Sequence, residues 1–170
     1  MKKRKSPREK LEQEQERRLV DTDKGRMLVP KPLDVDAVMR RIGEGKLVTV
    51  TQVRERLARE YGADFTCPLT TGIFMRIAAE AAEEDLEAGR TPVTPYWRVV
   101  GTDGRLNEKF PGGAELQAAR LKEEGHRVLV GRGKSSLRVG DFESCLQELW
   151  SGPLLLYGCY FQAGDRPPRR

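Results

Sequence analysis

Histidine and cysteine are scarce in this sequence, and this scarcity limits its chemistry. The chain of 170 residues contains one histidine, His126, and three cysteines, Cys67, Cys145 and Cys159. The cysteines are odd in number, lie far apart and form no CxxC pair, which argues against both a zinc site and a disulfide framework. We therefore expect reduced thiols, no metal and no cofactor.

Long apolar runs are also missing. No stretch reaches the length needed to span a membrane, and the basic start is not followed by the apolar region of a signal peptide. These absences predict a soluble, cytoplasmic protein without membrane contact. Aromatic residues make up only 6% of the chain, so the adjacent Tyr96 and Trp97 in TPYWRVV (94–100) are conspicuous.

Charge is plentiful, at 34% of residues with a net value of +5, and the basic excess lies at the ends, in MKKRK and RPPRR. Basic ends are typical of nucleic-acid-binding tails and equally of solvated tails. The length suits one domain with ragged ends. We expect a basic, flexible arm over 1–32, a domain over 33–126, a C-terminal addition packed on it over 127–162, and a disordered basic tail over 163–170.

Helical periodicity begins at Asp34, which is expected to cap a first helix. Its apolar face would consist of Val35, Val38, Met39 and Ile42. Thr49 is the expected N-cap of a second helix. That helix would bury Val50, Val53 and Leu57 and turn Arg54, Glu55, Arg56 and Arg59 outward.

A third helix is predicted to start at Thr70 or Thr71. Its core face would be Ile73, Phe74, Ile77, Ala78 and Ala81, and its other, small face would be Gly72, Met75, Arg76 and Ala79. A small face permits close approach of a neighbouring helix or of a nucleic-acid groove. Two helices joined by a short turn indicate a helix-turn-helix.

The second half of the chain predicts short elements. A strand or hairpin wing is expected after Thr94, with a turn at TDG (102–104). A helix ending at Gly125, a capped helix from Asp141 and a final strand over 153–161 should follow. The predicted fold class is mainly α: a winged helix-turn-helix-like domain with a short β wing and a C-terminal α/β addition.

Three segments occur in an order typical of a known family: VDAVMRRIGEGKLVTV (35–50), TPYWRVVGTDGRLN (94–107) and PGGAELQAARLKEEGH (111–126). The span from Asp34 to His126 resembles the DNA-binding domain of the O6-alkylguanine-DNA alkyltransferases, the methylated-DNA-cysteine methyltransferase family. It also resembles the alkyltransferase-like proteins, which lack the acceptor cysteine. The resemblance implies a DNA-binding, DNA-repair fold.

The reactive segment of that family reads Pro-Cys-His-Arg, and the histidine, with a water and a glutamate, activates the cysteine. Here Tyr96 occupies the cysteine position, Trp97 the histidine position, and Glu124 matches the glutamate. Tyrosine, with a pKa of about 10, is a poor nucleophile near neutral pH, and tryptophan has no basic nitrogen. The resemblance therefore implies a non-enzymatic monomer that binds double-stranded DNA, recognises alkylated guanine and engages a repair protein.

The candidate site residues fall into two groups. The DNA-binding group is Thr70, Thr71, Gly72, Met75, Arg76, Ala79, Arg105 and Lys109, with Arg132, Lys134 and Arg138 as further phosphate contacts. The base pocket would be Tyr96, Trp97, Arg98 and Phe110. The chain departs from the family at Val50, where a tyrosine is usual, and near Gly72, where an intercalating arginine is usual.

Alternatives remain open for several of these residues. Tyr96 and Trp97 either line a base pocket or fill and seal it, and in the second case the domain would bind a protein or a small ligand. Arg98 is expected in a structural salt bridge, and Glu124 at a helix end. An enzyme using Cys67 as a substitute nucleophile is the third and least favoured alternative.

Overall fold

The computed structural model describes residues 5–131 and 137–149, which are 44% helical and 18% strand. The α-helices are α1 (Pro7–Leu11), α2 (Pro32–Met39), α3 (Val50–Glu60), α4 (Pro68–Glu87) and α5 (Gly113–Glu123). The strands are β1 (Arg18–Thr22), β2 (Gly25–Val29), β3 (Val48–Thr49), β4 (Phe65–Thr66), β5 (Val99–Val100), β6 (Val128–Val130) and β7 (Leu137–Val139). Helices dominate as expected, but the fold is mixed.

The strands form three small sheets. β1 and β2 are an antiparallel hairpin, and β4 joins β2 in parallel on its other side. β3 pairs in parallel with β5, and β6 pairs antiparallel with β7. The Cys67 amide donates to the Leu28 carbonyl at 2.8 Å, so the hairpin lies beside the first turn of α4.

Residues 7–29, part of the segment expected to be a flexible or partly helical arm, contain α1, β1 and β2. Ser6 caps α1 through a capping box with Glu9, and α1 packs against α4 with Leu11 buried. Farther along, the Arg17 guanidinium makes a two-pronged hydrogen bond to the Asp34 carboxylate at 2.7 and 3.1 Å. A few apolar residues and charged pairs to Asp34 and Asp85 thus hold a highly charged segment that has too little periodicity to predict its structure.

The helix predictions hold in outline. The apolar face expected for the first helix is buried throughout, and Thr49 caps α3 through a capping box with Gln52. Arg56, expected to face solvent, is instead buried with Glu60 at 2.5 Å. α4 begins at Pro68, two residues before the expected caps, because a proline has no amide hydrogen to leave unsatisfied in the first turn.

The burial of α4 matches the prediction in part. Of the expected core face, Phe74, Ala78 and Ala81 are buried, but Ile73 is 49% exposed. Of the expected outward face, Met75 and Ala79 are instead buried, and Leu69 in the first turn is 73% exposed. Both α1 and α2 pack against α4, and α1 comes from the segment expected to be a flexible arm.

The remaining described elements form a second small core of eight buried residues: Leu47, Val100, Leu106, Ala114, Ala118, Leu121, Val139 and Phe142. The expected wing is not a hairpin here, because β5 pairs with β3 and residues 101–105 form a tight turn. The helix expected from Asp141 is a short 3-10 turn, Phe142–Cys145, and Asp141 makes no side-chain cap bond.

Some predictions fall outside the described residues. These are the contacts expected of Arg132 and Lys134, the final strand over 153–161 and the basic tail over 163–170. Within the described ranges, no helix combines the length and apolar character needed to cross a membrane.

Candidate functional site

The residues expected to form a base pocket lie together on and beside a 3-10 turn, Tyr96–Arg98. The Tyr96 ring meets Trp97 and Phe110 edge to face, with centroids 5.4 and 5.2 Å apart. Tyr96 is 0% exposed, Phe110 is buried and Trp97 is half-buried. The aromatic rings thus occupy the interior of the site.

The Tyr96 hydroxyl is held by a charged pair. It donates to Glu83 Oε1 at 2.7 Å, and both Glu83 oxygens accept from Arg120 Nη2, at 2.6 and 2.9 Å. Burial, followed by the hydrogen bond to Glu83, raises the pKa of Tyr96 above its ordinary value of 10. The phenol is therefore protonated at neutral pH and unsuited to act as a nucleophile.

Glu124 is the centre of a second polar network. Its carboxylate accepts from the Trp97 indole at 2.7 Å, from Arg98 at 2.8–2.9 Å, and from the Gly45 amide at 3.1 Å. Arg98 Nη1 donates to the Ile42 carbonyl at 2.6 Å. Burial opposes ionisation, but the bonds from Arg98 and Trp97 outweigh it and lower the pKa of Glu124.

This network bears on two predictions. The salt bridge expected of Arg98 is present. Glu124 is more than a helix-end carboxylate, because it ties the turn at Tyr96–Arg98 to the loop before β3. One carboxylate therefore holds both the indole of Trp97 and the guanidinium of Arg98.

Gln117 was not singled out from the sequence, although it is fully buried beside the site. Its amide donates to the carbonyls of Trp97 and Val99 at 3.1 and 2.8 Å, and its oxygen accepts from the Asn107 amide at 2.7 Å. The detectable signal was its place on the apolar stripe of α5, next to Ala118 and Leu121. A polar side chain on such a stripe needs buried partners.

Only part of the predicted DNA-binding group is on the surface of α4. Gly72 is exposed with no heavy atom within 4 Å of a Cβ built on it, and Arg76 is exposed and paired with Glu80 at 3.1 Å. Thr71 is buried, and its hydroxyl donates to the Cys67 carbonyl at 2.7 Å. The exposed residues Leu69 and Ile73 were missed because the apolar pattern alone assigned Ile73 to the core.

Arg105 and Lys109 lie on loops away from α4. Arg105 is paired with Asp103 at 2.8 Å and forms an isolated antiparallel bridge with Arg138. The same turn meets the start of α3, where the hydroxyls of Thr51 and Thr102 are 3.1 Å apart. The backbones of Arg105 and Arg138 therefore lie next to each other, close to the start of α3.

Cys67 and His126 belong to different parts of the described chain. Cys67 precedes α4, and its Sγ accepts from the Thr70 hydroxyl at 3.0 Å. Burial raises the pKa of Cys67, but the bonds from Thr70 and from backbone amides outweigh it and lower that pKa. Burial also lowers the pKa of His126. Among residues 5–131 and 137–149, no group of three or more His, Cys, Asp or Glu side chains is arranged to hold a metal ion.

Comparisons with known proteins give no relative. No protein-family model, no curated protein and no solved structure matches this chain. The family resemblance therefore remains a prediction from the three sequence segments, and the function has to be argued from the site.

Proposed function

We propose that this chain is a non-enzymatic, double-stranded DNA-binding protein of the alkyltransferase-like type, with a winged helix-turn-helix-like core. The observation that carries the proposal is the exposed N-terminal face of α4, formed by Leu69, Gly72, Ile73 and Arg76. This α4 face belongs to the second helix of the α3–α4 pair, which is the helix that enters the groove in helix-turn-helix proteins.

The chemistry of the α4 face suits a DNA groove. Gly72 lets the helix backbone approach closely, and Arg76 supplies a charge for phosphate. Leu69 and Ile73 are of the apolar type that minor-groove proteins insert between base steps. The N-terminal end of a helix also carries partial positive charge that favours a phosphate.

The aromatic cluster supports binding without base flipping. Tyr96 has no exposed surface, and its ring lies between Trp97 and Phe110. A flipped base would need the space that the ring fills. We therefore propose that the domain contacts an intact duplex and that alkylated guanine adds little to the affinity.

The test is a fluorescence anisotropy titration with a labelled duplex, with and without one O6-methylguanine, at low and moderate salt. Arg76→Ala should weaken binding severalfold and reduce the slope of log affinity against log salt by about 1, because one phosphate contact is lost. The control is Lys122→Ala, which removes another exposed cation from a helix, α5, and should change little.

Two results would contradict parts of this proposal. Equal losses for Arg76→Ala and Lys122→Ala would mean that contact is non-specific and does not use the α4 face. A clear preference for the alkylated duplex that survives added salt would mean that Tyr96 moves to admit a base.

The second candidate is a protein-binding module, and a specific observation favours it. Leu69 and Ile73 are large apolar side chains in solvent, and exposed apolar patches often mark protein interfaces. Absence of binding to any duplex at low salt would favour this alternative, with a repair protein as one partner to test.

A further inference from the structure

We propose that a cleft at the far end of α4 binds the phosphate of a phosphate monoester. The cleft has a volume of about 690 Å³ and lies between α1, α2 and the segment that follows α4. Three arginines line it, Arg8, Arg40 and Arg90, and we call it the arginine cleft. Asp85 in its wall is thirteen residues from Gly72, about 20 Å along the helix, so this proposal does not depend on DNA binding by the α4 face.

Asp85 holds two of the three arginines. It is buried, and its Oδ2 accepts from Arg8 Nη1 at 2.6 Å while its Oδ1 accepts from Arg90 Nε at 2.8 Å. A second bond fixes Arg8, whose Nε donates to Glu12 at 2.9 Å. One buried carboxylate therefore brings two guanidinium groups together from distant parts of the chain.

Asp36 holds the third arginine in the same manner. It is buried, accepts from Arg40 Nε at 2.8 Å, and accepts from the buried Thr94 hydroxyl at 2.5 Å. Arg40 Nη1 also lies 3.4 Å from the Pro92 carbonyl. Buried carboxylates that orient ligand-binding side chains are a common support for binding sites.

Several donors in the cleft are left over. Within the described ranges, Nη1 and Nη2 of Arg90 and Nη2 of both Arg8 and Arg40 donate to no protein acceptor. Three guanidinium groups around one open cleft repel one another. Three carboxylates line the same cleft, those of Glu12, Asp36 and Asp85, and each is paired with one or more of these arginines, which offsets the repulsion.

A phosphate monoester fits this arrangement better than a single halide or a neutral ligand. Guanidinium groups bind phosphate oxygens in pairs, and a dianion can use donors from more than one arginine. Leu11, Leu33 and Pro92 supply an apolar wall for the body of the ligand. The volume lies in the range of small-molecule sites. The source of the phosphate is either a free small molecule or the 5′ end of a nucleic-acid strand.

The test is isothermal titration of the full chain with inorganic phosphate and with phenyl phosphate at low salt. We expect saturable binding of phenyl phosphate. Arg90→Gln should weaken its affinity tenfold or more. Arg90→Lys should weaken the affinity less, because lysine keeps the positive charge but lacks the paired N–H donors of a guanidinium. Arg26→Gln is the matched control, because Arg26 is also 53% exposed and its Nε also bonds an aspartate five residues earlier. The affinity of the Arg26→Gln control for phenyl phosphate should stay within twofold of that of the wild type.

A second arm identifies the source of the phosphate. A single strand with a 5′-phosphate that binds better than the same strand with a 5′-hydroxyl, and loses this advantage in Arg90→Gln, supports a nucleic-acid end. Phenyl phosphate binding without such an advantage supports a free small molecule. No saturable binding of either phosphate, or an equal loss in Arg26→Gln and Arg90→Gln with unchanged circular dichroism, would overturn the proposal.

Discussion

At the scale of single residues, Glu124 connects more of the site than any neighbouring carboxylate described above. It accepts hydrogen bonds from an indole and a guanidinium of the turn Tyr96–Arg98 and from a backbone amide of the loop before β3, which are two separate segments. Its side chain and that of Arg98 are only 10% and 13% exposed. Removing the negative charge would leave Arg98 buried without its counter-charge, which is costly in a low-dielectric environment.

Glu124→Gln should therefore lower the free energy of unfolding at pH 7 by about 3 kcal/mol. Because its folded pKa lies below the ordinary value of 4.5, the stability from ionised Glu124 is fully present above that value. This contribution is lost as the pH falls through the lowered folded pKa. Urea titrations should show that the difference in free energy of unfolding between wild type and variant is smaller in this acidic range than at pH 7.

The matched control for this prediction is Glu123→Gln, since Glu123 is the adjacent glutamate and is exposed. It should change the free energy of unfolding little at either pH. A gap between wild type and Glu124→Gln that is independent of pH would mean that the loss comes from packing and not from the charge.

At the scale of elements, the β1–β2 hairpin is where the structure departs most from the pattern of the sequence. Leu28 is fully buried, whereas its partner across the strand pair, Leu19, is 47% exposed. The hairpin is anchored by β4 on one side and by the bond from Arg17 to Asp34. It is therefore expected to contribute to stability as part of the domain.

Leu28→Ala should lower the free energy of unfolding by about 3 kcal/mol, because it leaves a cavity in the main core. Leu19→Ala removes the same atoms from a position in the same register and should be nearly neutral. Thermal or urea unfolding measures both. Equal, small effects would show that the segment is a loosely attached arm in solution.

At the scale of the whole molecule, the residues that the structure describes form two apolar clusters, and Trp97 packs against both. Gln117 and Glu124 reinforce this junction through bonds to the Trp97 carbonyl and indole. Side chains shared between clusters couple their unfolding, as expected for a single domain of this size.

A Trp150→Phe variant leaves Trp97 as the single tryptophan, since the chain has two. Its urea unfolding curves by tryptophan fluorescence and by far-ultraviolet circular dichroism should coincide. Separate midpoints would show that the second cluster unfolds apart from the first.

The sequence by itself determined features that depend on neighbours within a few positions. The capping box at Thr49, the buried face of α2 and the end of α5 before Gly125 follow from contacts within one or two helical turns. Such signals survive in a sequence because their physical causes are local.

Only the tertiary structure decided which side of α4 is buried. Two overlapping stripes on this helix are apolar enough for a core, and the choice between them depended on where α1 and α2 pack. The same is true of Tyr96, whose burial required α4, α5 and Phe110 to meet, and of Asp85, whose partner Arg8 lies 77 positions away in the chain. These features arise from contacts between residues far apart in the chain, which no local pattern encodes.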